Sequence, residues 1–284
     1  MNKDLLKYIG ALLLFGSNGY WVAHIDLNSY EIVFMRGLIG GILLLALFFL
    51  TQQKSQAMQY KKDFAYLILA GLATGANWLS LFEAYRQVGV GTATLFCYCG
   101  PVIVIVLGAV LFHEKMTRNK WIGLFAVLLG VVCINGQNVQ TGGGLWGSFC
   151  GVMAAVTFAV LMIANKKSAR ITGVERAVWQ ILFAFLVIFV FLLARGELPV
   201  SVPRSSLPYV VILASCTALA CYLQLTAMGK LPVQTIAIWG YLEPFGALFC
   251  SVLLLGEAMG PLQAAGAALI LGGAMFAELK GKTT

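Results

Sequence analysis

Charged side chains are scarce in this chain, and their scarcity decides its class. Only 11% of the 284 residues are charged and 60% are hydrophobic, and the mean hydropathy is +0.89. Soluble domains contain about 25% charged and about 45–50% apolar residues. The composition therefore excludes an ordinary soluble domain and indicates a protein embedded in lipid.

Motifs for metal, nucleotide and nucleophile chemistry are also missing. The chain has two histidines, and HEKMT from His113 lacks the second histidine of a zinc protease motif. All seven cysteines fall within predicted helices, and Cys97 and Cys99 point to different sides of a helix, which indicates neither disulfides nor a zinc site. The sequence contains no P-loop and no Gly-x-Ser-x-Gly elbow. We expect no metal, no cofactor and no enzymatic activity.

Ten apolar windows are each long enough to cross a bilayer. A hydrocarbon core of roughly 30 Å needs about 20 apolar residues per helix, and runs this long and continuous are helical rather than strands of a barrel. The windows run approximately from Leu5 to Ile25, Tyr30 to Leu50, Phe64 to Tyr85, Val90 to Phe112, Trp121 to Gly136, Leu145 to Ala164, Val174 to Ala194, Leu207 to Met228, Val233 to Leu255 and Pro261 to Leu279. We predict an all-α integral membrane protein with ten transmembrane helices in a single domain, residues 1–284.

The basic residues fall almost entirely on one side of these spans. With both termini inside, 15 of the 19 Lys and Arg residues lie in inner segments, whereas the outer side carries only Arg86, Arg195 and Arg204. Because cytoplasmic loops accumulate Lys and Arg, we expect a multi-pass plasma (inner) membrane protein with both termini in the cytoplasm. The same asymmetry explains the net charge of +8, so no nucleic-acid partner is expected.

An internal repeat divides the chain. The stretch from Ala84 to Gly130 aligns without a gap with the stretch from Ala227 to Gly273. The residues that recur unchanged 143 positions later include Ala84, Pro101, Glu114, Gly123 and Gly130. A duplicated unit with an odd number of crossings lies in the bilayer once each way up, as in carriers that open alternately to either side. The sequence thus predicts two inverted five-helix repeats, residues 1–140 and residues 141–284.

Both copies resemble the EamA-type repeat of the drug/metabolite transporter superfamily. They keep an alanine at the end of one helix, a proline in the middle of the next, a glutamate after that helix and a glycine-rich last helix. FGSNGYW from Phe15 and EIVFMRG from Glu31 are similar to the family's opening helices, although Gln180 or its neighbours stand where the first half has Arg36. The resemblance implies a basket of ten helices around a central cavity. Members of the family move amino acids, sugars, nucleotide precursors, quaternary amines and drugs.

Two matched prolines indicate where a binding site lies. Pro101 and Pro244 are expected near the bilayer midplane, where each removes a backbone donor and loosens its helix. Paired interruptions of this kind are the best sequence indication of a transporter's site. Glu243 is the acidic residue predicted deepest in the membrane, and we interpret it as binding substrate or a proton, or else as bonding to a neighbouring helix. Trp239 lies one turn earlier and forms with Glu243 a half-cage for an organic ammonium group, or simply packs.

Further candidates follow from polar and aromatic side chains within the apolar windows. Arg36 and Glu83 lie toward the outer ends of their helices and are predicted to form a charge pair or outer gate, with a substrate carboxylate on Arg36 as the alternative. The remaining substrate-binding candidates are Tyr98, Tyr241, Asn18, Trp21, Asn77, Trp78 and Gln224. For each of them, hydrogen bonding or packing between helices is the alternative role.

These features together predict a secondary transporter. It would move a small organic metabolite, an amine or an amino acid across the plasma membrane by alternating access, as an exporter. The expected partners are a small-molecule substrate and the lipid bilayer, and the oligomeric state stays open. The alternatives are an intramembrane enzyme, and a channel or scaffold protein without carrier activity.

Overall fold

Helices make up the regular structure of the protein. A computed structural model describes residues 3–52, 55–88, 93, 96–97, 99–112, 117–135, 145–254 and 260–278. Among these residues no strand occurs. The helices are α1 (Lys3–Gly16), α2 (Asn18–Val22), α3 (Ser29–Leu50), α4 (Lys61–Val88), α5 (Cys99–Phe112), α6 (Arg118–Asn135), α7 (Leu145–Lys167), α8 (Gly173–Arg195), α9 (Leu207–Met228), α10 (Val233–Gly240), α11 (Leu242–Leu254) and α12 (Pro261–Glu278).

The prediction of an all-helical membrane protein is confirmed at this level. Each apolar window contains at least one helix, and α9 fills its window without any shift. Within the described part of the chain, five helices are long and apolar enough to cross a membrane, namely α3, α4, α7, α8 and α9. The total of ten spans stays a prediction. Large apolar side chains such as Phe125, Val190 and Phe249 are exposed on the outside of the bundle, where lipid would cover them.

Local sequence signals set several helix ends. Asn28 begins α3 as a capping box, since its side chain accepts from the backbone N–H groups of Tyr30 and Glu31 while the Glu31 carboxylate accepts from the Asn28 N–H at 2.8 Å. Gly196 ends α8 with φ of 67°, a left-handed conformation that glycine adopts without strain. Both ends are therefore fixed by the residues that stand there.

Two of the predicted spans are interrupted helices. The window from Leu5 contains α1 and α2, which separate at Ser17, and the window from Val233 contains α10 and α11, which separate at Tyr241. The second break has a clear cause: α10 ends at Gly240, four residues before Pro244, and a proline cannot donate to the carbonyl at that position. The two interrupted spans pack against each other, because α11 contacts both α1 and α2.

Two helix pairs cross closely and run antiparallel. A Cβ added to Gly123 of α6 would lie 2.5 Å from the Gly273 carbonyl oxygen of α12, and one added to Gly130 would lie 2.6 Å from that of Gly266. Only residues without a side chain allow this approach. In the second pair, Gly37 and Gly41 of α3 lie against Phe185 and Ile181 of α8.

The helix ends define two faces of the molecule. At the first, which we name the Tyr30 face, α3 begins and α4 and α8 end, and Tyr30 contacts Glu83 and Arg195. At the second, which we name the Glu175 face, α3 ends and α4 and α8 begin, and Ser55 bonds to Glu175. The interior between the two faces contains the candidate site.

Candidate functional site

Arg36 lies in the interior where four helices meet. Its side chain in α3 is nearly buried, and its guanidinium carbon lies 4.1 Å from the centroid of the Trp78 ring in α4. A cation over a desolvated indole is stabilised by about 2 kcal/mol. The positive charge of Arg36 influences Cys221 of α9 and Glu243 of α11 through space. The stacking of Arg36 on Trp78 links α3 to α4 in the interior.

Glu243 is half-buried in the first turn of α11, directly after the break at Tyr241. Its negative charge acts on Tyr8 of α1 and on Cys97, and its own environment includes Arg36. A deep carboxylate in a membrane protein is costly unless it has such a partner.

Tyr8 is a member of this group that sequence reasoning missed. It is fully buried, its hydroxyl donates to the Ile236 carbonyl at 2.9 Å, and the Gln224 side chain lies near the hydroxyl oxygen. The available signal was a tyrosine within an apolar window, because a buried phenol needs a partner. We name Tyr8, Arg36, Trp78, Cys97, Cys221, Gln224 and Glu243 the central cluster.

Three predicted residues contribute buried polar atoms that have no hydrogen-bond partner among the described residues. They are the side-chain oxygen of Asn18 and the indole N–H groups of Trp21 and Trp239. Nearly all buried polar atoms in proteins are paired, so each exception indicates a position for a ligand or a water. Two of the three atoms are donors and one is an acceptor. This combination matches a ligand that carries both acceptor and donor groups.

Other predicted residues have structural contacts. The Asn77 amide donates to the Ala154 carbonyl at 2.7 Å and thereby links α4 to α7, and it lies near Cys97 of the cluster. Tyr241 is fully buried at the break between α10 and α11. Pro101 is buried in the first turn of α5, and Pro244 lies in the first turn of α11. Tyr98 lies outside the described residues.

Glu83 belongs to a separate group at the Tyr30 face. Its carboxylate accepts from the Tyr30 hydroxyl, from the Gln87 amide at 2.9 Å and from the Trp146 indole at 3.3 Å, and it lies 3.9 Å from Arg86. The structure thus places Glu83 beside Arg86 and Tyr30, and the Arg36–Glu83 charge pair or outer gate stays a prediction. A cavity of about 470 Å³ opens beside this group.

Lysine side chains tie α10 to its neighbours at the Glu175 face. Lys166 of α7 donates to the Leu231 carbonyl at 2.6 Å, and Lys120 of α6 donates to the Gln234 side chain at 2.7 Å. Asp4 of α1 lies 3.5 Å from Lys230. These contacts hold the loop before α10, and α10 itself, against three other helices.

No arrangement in the described part of the chain fits a metal ion. Groups of three or more His, Cys, Asp or Glu side chains able to hold one are absent among those residues. The arrangement can instead bind an organic molecule through opposite charges, indole rings and amides.

Sequence comparison finds relatives that are named as transporters. The uncharacterized inner membrane transporter YedA of Escherichia coli (strain K12) is 25% identical over 92% of this chain and 87% of its own length. The S-adenosylmethionine uptake transporter of Rickettsia bellii is 23% identical over 88% of this chain and 84% of its own. The uncharacterized transporter YxxF of Bacillus subtilis is 26% identical over 57% of this chain. This match covers 53% of the length of YxxF, about half of that relative.

A solved structure and a family model cover nearly the whole chain. The structure, titled only as the crystal structure of a protein, superposes with a TM-score of 0.83 at 20% identity and covers 99% of both chains, which establishes a shared fold. The model of the EamA-like transporter family matches residues 4–136 and again residues 145–278. The chain therefore belongs to the EamA-like transporter family.

Proposed function

We propose that the protein is a secondary transporter that exports a small organic metabolite, an amine or an amino acid, across the plasma membrane by alternating access. The observation that carries the proposal is the central cluster of polar side chains in the interior, where the buried Arg36 of α3 stacks on Trp78 of α4 and the buried Tyr8 of α1 donates to the Ile236 carbonyl of α10. The cluster lies beside the two interrupted spans. Sites of this kind in carriers are built from discontinuous helices near the middle of the bilayer.

Reciprocal contacts between the halves support an inverted repeat of two five-helix units, residues 1–140 and 141–284. Gly123 and Gly130 recur as Gly266 and Gly273, 143 positions later. Gly123 approaches Gly273, and Gly130 approaches Gly266, so each position meets the equivalent of the other. Such mutual contact is what a two-fold axis generates, and the antiparallel course of α6 and α12 agrees with opposite insertion of the halves.

The distribution of basic residues supports a cytoplasmic position for the Glu175 face and for both termini. Near this face lie Lys61 and Lys62 at the start of α4, Lys166 and Lys167 at the end of α7, and Lys230 beside Asp4. Arg86 and Arg195 lie at the Tyr30 face. Cytoplasmic segments of membrane proteins accumulate Lys and Arg.

The contacts around α10 supply a mechanism for changing access. In the described structure Lys120, Lys166 and Tyr8 hold α10 against α6, α7 and α1. Opening toward the Glu175 face requires these bonds to break, and the interruption at Tyr241 allows α10 to move relative to α11. Small differences in ligand contact between the two states then bias the equilibrium between them.

Counterflow in proteoliposomes tests the proposal. Liposomes that contain the purified protein and a high internal concentration of unlabelled amino acid or amine should transiently accumulate the labelled compound, with saturable rates. Glu243→Gln should abolish counterflow, and Arg204→Gln, a change at an exposed arginine, should not. Chemical conversion of the compound would instead identify an enzyme, and unsaturable movement without counterflow would identify a channel. Absence of both transport and conversion would leave a scaffold protein.

A further inference from the structure

We infer that the Glu175 face carries a binding site for an anionic phospholipid, in which three basic side chains hold the phosphate of the headgroup. The site is a group of residues that we name the basic–tyrosine patch: Tyr60, Lys62, Tyr66, Lys167 and Arg170. It lies on the outside of the bundle, whereas the central cluster lies in the interior. The inference goes beyond the proposed transport function, because binding of the lipid does not depend on which compound the protein moves.

Contacts between the start of α4 and the end of α7 assemble the patch. The Lys167 ammonium nitrogen lies 5.4 Å from the centroid of the Tyr66 ring. The Arg170 guanidinium carbon lies 5.9 Å from the centroid of the Tyr60 ring. The Arg170 backbone N–H donates to the Asp63 carboxylate at 3.1 Å, which holds the loop after α7 against the start of α4. Two phenol rings therefore lie beside two cations that come from a different helix and its loop.

The basic residues of the patch have no carboxylate partner in the described part of the chain. Ion pairs there do bind the basic residues of the Tyr30 face, since Arg86 lies 3.9 Å from Glu83 and Arg195 lies 2.6 Å from Glu197. None of these ion pairs includes a residue of the patch. Asp63 is buried and already accepts a backbone N–H. Three positive charges against one negative charge leave the patch positive, so it attracts an anion from outside the chain.

The three cations keep donors for a phosphate. Lys62, Lys167 and Arg170 are exposed, and Lys62 precedes Tyr66 by four residues, so the two side chains share one face of α4. A ring beside a cation occupies only one side of it, which leaves the N–H donors of an ammonium group and the edge of a guanidinium group free to bind phosphate oxygens. The rings also limit the conformations of these long side chains, so less freedom is lost when a phosphate binds.

The surface that continues from the patch into the membrane is apolar, which favours a lipid over a soluble anion. Leu69 is 45% exposed and follows Lys62 by seven positions, about two helical turns along the same face of α4. Val156 is 40% exposed and precedes Lys167 by eleven positions, about three turns along the same face of α7. Acyl chains can lie along these residues while the headgroup stays beside the cations. Basic pockets between membrane helices bind anionic headgroups in this way.

Native mass spectrometry of the full chain in a neutral detergent tests the inference. The protein is titrated with dioleoyl phosphatidylglycerol and, separately, with dioleoyl phosphatidylcholine, which has the same acyl chains and no net charge. Phosphatidylglycerol should bind roughly tenfold more tightly or better, because only it carries a net negative charge. Equal affinity for the two lipids overturns the inference.

A triple variant tests the three cations. Lys62→Gln, Lys167→Gln and Arg170→Gln together should weaken phosphatidylglycerol binding on the order of a hundredfold, since each Lys or Arg near an anionic headgroup contributes roughly fivefold. A second triple variant keeps the charges, with Lys62→Arg, Lys167→Arg and Arg170→Lys, and should stay within about tenfold of the wild type. If the charge-keeping variant loses as much affinity as the first, the loss reflects disturbed packing and the inference fails.

A matched control removes the same charge from exposed basic residues outside the patch. Lys3→Gln, Lys7→Gln and Arg204→Gln together should weaken phosphatidylglycerol binding by about threefold at most. Equal losses in this control and in the glutamine variant of the patch would show that only the net charge of the protein attracts the lipid. That result overturns the inference of a defined site.

Soluble anions distinguish the source of the phosphate. Glycerophosphoglycerol, which is the headgroup without acyl chains, and inorganic phosphate should displace phosphatidylglycerol only at concentrations roughly a hundredfold higher or more, because they bury no acyl chain. Displacement by either soluble anion at the concentration of the lipid itself would assign the patch to a soluble phosphate and overturn the inference of a lipid site.

Discussion

Glu175 and Arg176 are adjacent residues that hold different segments of the Glu175 face. The Glu175 carboxylate accepts from the Ser55 hydroxyl at 2.6 Å and from the backbone N–H groups of Gln56 and Ala57 at 2.7 and 3.1 Å. Arg176 donates to the Leu225 carbonyl at 3.1 Å and also to the Asn165 carbonyl. Both residues are almost completely buried, so their charges depend on these bonds.

Glu175→Ala should lower the stability of the folded protein substantially. The change leaves the N–H groups of Gln56 and Ala57 and the Ser55 hydroxyl without their acceptor, and we expect a loss of about 2–4 kcal/mol. Thermal unfolding in detergent measures it as a lower Tm. The matched control is Glu31→Ala, 144 positions earlier, where the carboxylate accepts one N–H at an exposed site and the loss should be about 1 kcal/mol. Equal losses of stability in the two variants would contradict the role assigned to Glu175 as the acceptor that holds residues 55–57.

Single residues differ in how far sequence could identify their role. Glu243, Trp239 and Asn18 stand out because polar or indole groups are costly within apolar windows, and the structure leaves buried polar atoms of Trp239 and Asn18 without a partner among the described residues. The stacking of Arg36 on Trp78 was not predictable, since it depends on how α3 and α4 pack. Whether these residues bind substrate stays a prediction.

At the scale of elements, the structure combines two interrupted spans with close helix crossings. Pro244 is a sequence signal for the break after α10, whereas the break at Ser17 between α1 and α2 has only a Gly-Ser pair to indicate it. The presence of a helix in each long apolar window was predictable from length and hydropathy, whereas the limits differ by a few residues, as in α4, which begins at Lys61 and not at Phe64. The close α6–α12 crossing was not, since recurring glycines do not reveal which helix they meet.

Gly123→Ala should destabilise the α6–α12 crossing. Its new methyl group would meet the Gly273 carbonyl oxygen at 2.5 Å, and a backbone atom cannot rotate away. We expect a loss of about 1–3 kcal/mol or more, seen as a lower Tm and less monodisperse protein in size-exclusion chromatography. Gly272→Ala on the same crossing pair is the control, because an added Cβ there meets nothing within 4 Å. Similar losses for both variants would show that the crossing is not responsible.

Pro244→Ala should slow transport without lowering stability. Alanine restores an N–H donor four residues after Gly240, which favours a continuous helix through Tyr241 and removes the proposed hinge. Counterflow rates should fall severalfold while Tm stays equal or rises. Pro208→Ala in the first turn of α9 is the control, since a proline there interrupts no helical bond. Unchanged counterflow would show that the break is dispensable.

At the scale of the whole molecule, the two faces are closed by different means. Aromatic and carboxylate groups gather around Tyr30 and Glu83 at one face, and lysines bind α10 at the other. The lysine bonds join α6, α7 and α10, so they connect both halves of the chain. The alternation that we propose between the two faces therefore depends on a small number of polar contacts.

Lys120→Met together with Lys166→Met should open the Glu175 face more often. In a variant with Cys221 as its single cysteine, a membrane-impermeant maleimide applied from the Glu175 face should label this buried thiol faster, by roughly tenfold if one or two hydrogen bonds are lost. Lys62→Met, at an exposed lysine, should not change labelling. Faster labelling only from the opposite face would contradict the assigned role of the lysines.

The reciprocal glycine crossing affects how the protein is completed during synthesis. α6 can reach its partner only after α12, the last described helix, has been made, and until then its glycine surface has no matching surface. Packing of α6 against its partner must therefore wait until α12 has been made. A chain that stops before α12 would expose this surface to the membrane and become a substrate for quality-control proteases.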